Sequence, residues 1–271
     1  MRPNMMIEKI RAGHTVVGLA NMYPASGIIE GMCRGWDFVW IDGQHGEMSI
    51  DACLHAVQAA AATGIETLLR VPSHEDSSLG PFADLSPSAV MVPMVNNVVE
   101  AKNVVGGLRF PPLGRRSYGG RRVIDLDGRD YYTEREVMLV AQIETLEAAK
   151  NAEQIIDVEG VDALFFGPDD MKVRMGIPIN TTAADNKQLR DAMEQTAKAA
   201  RNAGKFAGTV AASAKLSRIA VDMGYQIIVG GADIAFMRIG AANLLEQLRE
   251  ELKQEMAPEA AVKAGSGVYG G

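Results

Sequence analysis

Cysteine is scarce in this chain: Cys33 and Cys53 are the only two among 271 residues. That gives neither a disulfide framework nor a metal-ligand spacing, so a reducing, cytoplasmic setting is the default expectation. Basic charge is not in excess. Lys+Arg 27 against Asp+Glu 34 leaves a net charge of −7, which argues against a general nucleic-acid binder. Small anions stay open, because they need only a few local cations. No apolar run is long enough to cross a bilayer, and "MRPNMMIEKIRAG" carries Glu8 and Lys9 where a signal peptide would be apolar. No membrane partner is expected. No glycine-rich loop precedes a Lys-Ser/Thr pair, which disfavours a phosphate-binding enzyme; the weak exception is the loop with Arg115–Arg116 and Gly119–Gly120.

Hydrophobic residues make up 47% of the chain and charged ones 23%, an ordinary balance for a globular protein with one substantial core. Eight short apolar runs stand out: "TVVGLANM" from Thr15, "WDFVWID" from Trp36, "ETLLRV" from Glu66, "AVMVPM" from Ala89, "VMLVAQIE" from Val137, "VDALFFG" from Val161, "KFAGTV" from Lys205 and "YQIIVGG" from Tyr225. They are continuous rather than alternating, as expected of strands covered on both faces. Longer amphipathic segments separate them. "SIDACLHAVQAAAATG" starts near Ser49 and stops at Gly64; "NNVVEAKNVVGG" has Asn96 or Asn97 as cap and Gly106 as stop; a third runs to Gly204. The last sets Leu244, Leu245, Leu248 and Leu252 on one stripe. Eight strands with helical crossovers predict an α/β fold, a (β/α)8 TIM barrel, over 1–255, with a flexible C-terminal tail over 256–271. A doubly wound sheet is the structural alternative. The stretch 108–132, with Pro111, Pro112 and several glycines, reads as a long loop of the kind that often forms a lid or binding loop.

A barrel puts its chemistry at the carboxyl ends of its strands, and the polar residues collect there. Asp42 and His45 close the second run, Arg70 the third, Gln142 and Glu144 the fifth, and Asp169 and Asp170 the sixth. Glu144 and Asp170 are oxygen donors suited to Mg²⁺, Mn²⁺ or a similar divalent ion; singly, each would read as a helix cap or a buried ion-pair partner. Asp169 can cap the helix starting near Met171, whose backbone N–H groups would then receive a carboxylate. Arg70 suits a carboxylate or an enolate oxygen, or else an ion pair with Asp42 or Glu66. His45 is the natural general base, with Asp42 fixing its tautomer. His14, His55 and His74 read as structural.

These motifs, together with "MVPMVNNVVEA", "FPPLGRRSYG", "QIETLEAAKNAEQIIDVEGVDALFFGPDDM" and "GYQIIVGGADIAFM", resemble the HpcH/HpaI family of metal-dependent (class II) pyruvate aldolases, in order from about Asn21 to Leu248. The resemblance implies a (β/α)8 barrel, a homohexamer with the last helix exchanged between subunits, and a divalent metal ion (Mg²⁺, Mn²⁺ or Co²⁺). It implies a carbon–carbon lyase cleaving a 4-hydroxy-2-oxo acid reversibly to pyruvate and an aldehyde through a metal-bound pyruvate enolate. Glu144 and Asp170 would hold the metal, Arg70 the enolate oxygen and Gln142 the pyruvyl group. His45, oriented by Asp42, would move protons, and backbone around Pro168 to Asp170 would take the substrate carboxylate. Three positions depart from or modulate the pattern. Gln44 stands where the family usually has Glu, Asp169 replaces a small residue, and Tyr23 ends the first strand where it would narrow the aldehyde pocket. "PPLGRRSYG" also resembles the macrophomate synthase-like branch, which implies oxaloacetate decarboxylation as the alternative. A non-catalytic barrel that binds a keto acid is the reading from outside enzymology.

Overall fold

The computed structural model describes residues 3–253; the expected tail, 256–271, lies outside the described residues. Strands β1 (Val16–Asn21), β2 (Phe38–Asp42), β3 (Glu66–Arg70), β4 (Ala89–Val92), β5 (Met138–Ile143), β6 (Ala163–Phe166), β7 (Phe206–Val210) and β8 (Ile227–Ala232) run parallel and close in sequence order, β8 returning to β1. The fold is the expected (β/α)8 barrel. Closure excludes the doubly wound sheet, which keeps two open edges.

Helices fill the crossovers. After α1 (Met5–Arg11) come α2 (Ser26–Met32), α3 (Ile50–Thr63), α4 (Asp76–Ala83) and α5 (Val98–Leu108). Short helices α6 (Arg121–Asp127) and α7 (Tyr131–Glu134) precede β5, and α8 (Leu146–Lys150) and α9 (Ala152–Ile156) follow it. The series ends with α10 (Pro168–Met175), α11 (Lys187–Asn202), α12 (Ala214–Met223) and α13 (Asp233–Glu251). Several start on a side chain that accepts a first-turn N–H: Ser49, Asn97, Thr145, Asn186 and Ser213. Each such cap contributes about 1 kcal/mol. The expected stop at Gly106 is overrun, and α5 continues to Leu108.

Strand periodicity divides the core in two. Along β2, Val39 and Ile41 face the helices, whereas Phe38 and Trp40 point into the barrel beside Leu68, Met91, Val140, Phe165 and Val229. Gly18 makes room for this filling, since a Cβ there would lie 2.3 Å from Phe38 Cε2. Continuing inward, the next residues on β2, β3 and β5 are Asp42, Arg70 and Gln142, so the interior turns polar at its upper end. The lower end is sealed. Met6, Ile7 and Ile10 of α1 join the interior cluster, and the Met5 N–H donates to Glu66 Oε1 at 3.1 Å.

Residues 108–132 differ from expectation: the stretch contains α6 and leads into α7. It joins a helix to the next strand, so it lies where strands begin. Arg109 donates to the carbonyls of Gly160 and Val137, and Arg135 to those of Ser86 and Pro87. The segment braces the barrel's lower end and is not a lid over the mouth. The leucine stripe is on α13 as expected, but Leu244, Leu245, Leu248 and the following Leu252 are exposed. No helix among the described residues is long and apolar enough to cross a membrane.

Candidate active site

β2 and β3 pair so that Asp42 sits in register with Arg70. Both side chains point inward, and they meet in a two-pronged ion pair: Arg70 Nε donates to Asp42 Oδ1 at 2.8 Å and Nη2 to Oδ2 at 2.6 Å. The guanidinium lies 4.7 Å over the Trp40 ring, which with Phe165 floors the mouth. Arg70 Nη1 reaches Gln142 Oε1 at 3.4 Å and lies 3.9 Å from Glu144 Oε1. Thus one of the two structural partners considered for Arg70 is real, Asp42. Glu66 lies at the opposite end of the barrel.

Glu144 follows β5 and is buried. Its Oε2 accepts the Met94 N–H at 3.0 Å. Burial pushes its carboxyl up to about 7 against the pull of Arg70, with the Asp170 charge adding to the rise. Met94 holds φ at 58°, the left-handed region, which costs a non-glycine residue about 1–2 kcal/mol. Asn96 fixes that loop: its Nδ2 donates to the Met94 carbonyl, and its Oδ1 accepts from Thr145 Oγ1. At Gly167 a Cβ would come within 2.7 Å of Glu144 Cγ, so glycine is required for Glu144 to lie beside the start of α10. Among the described residues no group of three or more His, Cys, Asp or Glu converges; the acidic feature is the pair Glu144 and Asp170.

α10 begins with Pro168 at its first position, where no N–H is needed. Its first-turn N–H groups have no intrahelical acceptor. The cap position is Gly167, with no side-chain bond, so Asp169 does not cap this helix as expected; it lies inside the first turn, 2.8 Å from the Lys172 ammonium, which also donates to the Ile179 carbonyl at 2.6 Å. Burial raises the Asp169 carboxyl and Lys172 opposes the rise. Behind α10 a cavity of about 450 Å³ is lined by Phe166, Lys172, Met193, Thr209 and Ser213. It includes none of Asp42, Arg70, Gln142 or Glu144.

Residues 26–238 match the HpcH/HpaI aldolase/citrate lyase family. The chain belongs to this family. It is 32% identical to a 4-hydroxy-2-oxovalerate aldolase of Novosphingobium aromaticivorans, over 81% of this chain and 84% of the relative. It is 28% identical to a 4-hydroxy-2-oxo-heptane-1,7-dioate aldolase of Salmonella heidelberg, over 98% and 99% of the two chains. The crystal structure of macrophomate synthase superposes with a TM-score of 0.81 at 23% identity, covering 94% of this chain and 91% of that one, a likeness of fold.

In this HpcH/HpaI family chain, the expected side-chain pair between Asp42 and His45 is not formed. Asp42 Oδ1 accepts the backbone N–H groups of Gln44 at 3.0 Å and His45 at 3.2 Å. The His45 ring is exposed and has no hydrogen-bond partner among the described residues. The reason is geometric: a carboxylate ending an inward row faces the neighbouring strand, while His45 lies beyond the turn. Gln44 is half-buried, and its Oε1 has no partner among the described residues. Tyr23 lies on the β1–α2 loop at the same end, without a hydrogen bond to the central cluster. That loop reveals a residue that sequence reasoning missed. Asp233, fully buried, accepts from Asn21 Nδ2 and from the N–H groups of Met22, Tyr23 and Ile234. An acid directly after the eighth strand was the available signal. Met94 offered none.

Proposed function

We propose that this barrel is a carbon–carbon lyase performing reversible, divalent-metal-dependent aldol cleavage of a 4-hydroxy-2-oxo acid to pyruvate and an aldehyde. The observation that carries the reading is the mouth itself: a guanidinium locked by Asp42 beside Gln142, next to the carboxylates of Glu144 and Asp170. Breaking the C3–C4 bond sends an electron pair onto the C2 oxygen, so positive charge belongs there before the reaction starts. Arg70 supplies it without reorganisation, because Asp42 already fixes both prongs. Gln142 has an amide to orient the pyruvyl group, and the first-turn N–H groups of α10, after Pro168 and at Asp169 and Asp170, receive the C1 carboxylate. His45 takes the proton from the C4 hydroxyl and returns one to C3; its exposed ring is free to turn toward substrate. Asp42 acts on it only through the backbone. Gln44 flanks that proton path without a charge of its own, and Tyr23 narrows the aldehyde side.

Glu144 and Asp170 would hold the metal. They form an all-oxygen donor set suited to Mg²⁺, Mn²⁺ or Co²⁺, and burial, with the Asp170 charge adding to it, pushes the Glu144 carboxyl up to about 7, a cost of ionisation that a cation would offset. Such an ion, when bound, supplies further positive charge toward the keto acid oxygens. A homohexamer with α13 exchanged fits the exposed Phe236, Met237, Ile239, Leu244, Leu245 and Leu248 of that helix. A cytoplasmic location fits the two buried, free cysteines. The test is incubation of protein loaded with Mg²⁺, Mn²⁺ or Co²⁺ with pyruvate and a panel of aldehydes. A 4-hydroxy-2-oxo acid should form, and stop forming with chelator. Turnover of oxaloacetate alone would select the decarboxylase instead, and tight oxalate binding without any turnover would select a binding protein.

A further inference from the structure

Asp233 follows β8 directly, is fully buried, and pairs with no cation among the described residues. A carboxylate in such a place persists only where several donors hold it. Most of those donors come from one stretch of chain. β8 pairs with β1, Ala232 beside Ala20, so the carboxylate lies against the end of β1 and the loop that leaves it. Oδ2 accepts from Asn21 Nδ2 at 2.9 Å and from the Met22 and Tyr23 N–H groups at 3.0 and 3.1 Å. Oδ1 takes the Ile234 N–H at 2.7 Å.

The loop so pinned touches the next one. The Met22 carbonyl accepts the Glu47 N–H at 2.9 Å, and the Gly46 N–H donates to the Asp42 carbonyl at 3.2 Å. A Cβ at Gly46 would lie 2.5 Å from that Asp42 oxygen and 3.0 Å from the Met22 carbonyl oxygen, so the turn between β2 and α3 is closed tightly between two fixed points. One is Asp42, held by Arg70. The other is Met22, held by Asp233. His45 sits between them. Its exposed ring has no hydrogen bond among the described residues, so its backbone decides where it stands.

We infer that Asp233 is a positioning residue for proton transfer, setting the His45 turn through Met22. The inference rests on the aldolase reading, in which His45 moves protons at the substrate. Asp233 lies beneath the loop it holds and meets no substrate. Its effect is on distance, and a misplacement of about 1 Å can cost about 10²-fold in rate.

The test is exchange of the pyruvate methyl protons in heavy water by the Mg²⁺-loaded protein, followed by NMR. His45 takes a C3 proton, the electron pair enters the enolate, and the ring returns a deuteron to C3. Pyruvate has no aldehyde half, so a change at Tyr23 stays out of the readout. Asp233→Ala should lower exchange at saturating pyruvate by about tenfold or more. Oxalate affinity, read by calorimetry, should stay within about twofold, because Arg70 and the acid pair are untouched. Asp233→Asn can keep one oxygen on Met22 and Tyr23 and should recover part of the loss. In a His45→Ala background, Asp233→Ala should have no further effect, since both changes act on one group. Gly46→Ala disturbs the same junction from the other side and should reproduce the pattern; it decides the matter if Asp233→Ala does not fold. Unchanged exchange in the folded variants, losses that multiply in the double variant, or a fall in oxalate affinity each overturn the inference while the aldolase reading stands. Exchange that survives His45→Ala overturns it too, by removing His45 from proton transfer. A parent that exchanges no pyruvate protons takes the inference down together with the aldolase reading.

Discussion

Replacing Asp42 by asparagine takes one charge out of a pair that is almost wholly buried. Arg70 keeps 4% of its surface and Asp42 none, and two hydrogen bonds of 2.8 and 2.6 Å join them. Removing one partner of such a pair costs about 3–5 kcal/mol, because the remaining charge stays buried. Asparagine retains one acceptor, so the lower end applies, about 3 kcal/mol, or a fall in Tm of roughly 6–12 °C for a chain of this size. The assay is urea and thermal unfolding of Asp42→Asn, Arg70→Met and the double variant at pH 7. The double variant should be more stable than the sum of the singles predicts, since no uncompensated charge is left. Acid should erase the difference. Burial pushes the Asp42 carboxyl up, but the Arg70 charge and hydrogen bonds and the N–H groups of Gln44 and His45 hold it below its ordinary value of 3.8. The unfolded chain therefore binds this proton first, so the pair stabilises fully above that value and less as pH falls through the lower folded one. A cost below about 1 kcal/mol for Asp42→Asn, or additive singles, would refute the account of Asp42 as the anchor of Arg70.

Glu144 gives the opposite slope. Its folded value of about 7 against an ordinary 4.5 means that the folded, metal-free protein holds the proton longer. Stability should fall by about 3 kcal/mol as pH rises from 4 to 8, and Glu144→Gln should flatten that slope in unfolding curves measured with chelator. His45→Ala should slow aldol turnover by about 10²–10⁴-fold while leaving Tm unchanged, since the ring is exposed and has no hydrogen-bond partner among the described residues; a large Tm loss would make His45 structural. Gly167→Ala drives a methyl into Glu144, so calorimetry should register at least about a tenfold loss of Mn²⁺ affinity. Unchanged affinity would remove Glu144 from the metal set.

Much of this architecture was legible in the chain. Eight apolar runs became eight strands within about two residues at their ends, because a strand buried on both faces needs an unbroken apolar run and a helix needs the opposite pattern. Ser49, Asn97 and Gly64 marked helix ends for local reasons, a hydroxyl or amide for orphan N–H groups and a left-handed φ of 76° at Gly64. Strand-end position alone nominated Asp42, Arg70, Gln142 and Glu144, and the structure brings those four together. The same rule, applied to the residue after "VGGA", would have nominated Asp233.

Partners were a different matter. Asp42 and His45 are three residues apart in sequence, and proximity along the chain suggested that they act as a unit. The barrel gave Asp42 to Arg70 instead, because parallel register sets which inward residues face each other across strands. The arginine-rich stretch at 108–132 had the composition of a binding loop, yet the direction of the chain carries a helix-to-strand connection to the lower end. Arg174 has the spacing of an ordinary surface pair with Asp170, yet among the described residues its guanidinium meets Met94 of the β4 loop instead. What the sequence by itself determined was which elements form and which residues end them, since those follow from local burial and hydrogen-bond supply. What only the tertiary structure decided was which charges meet, because that depends on register and closure between strands far apart in the chain.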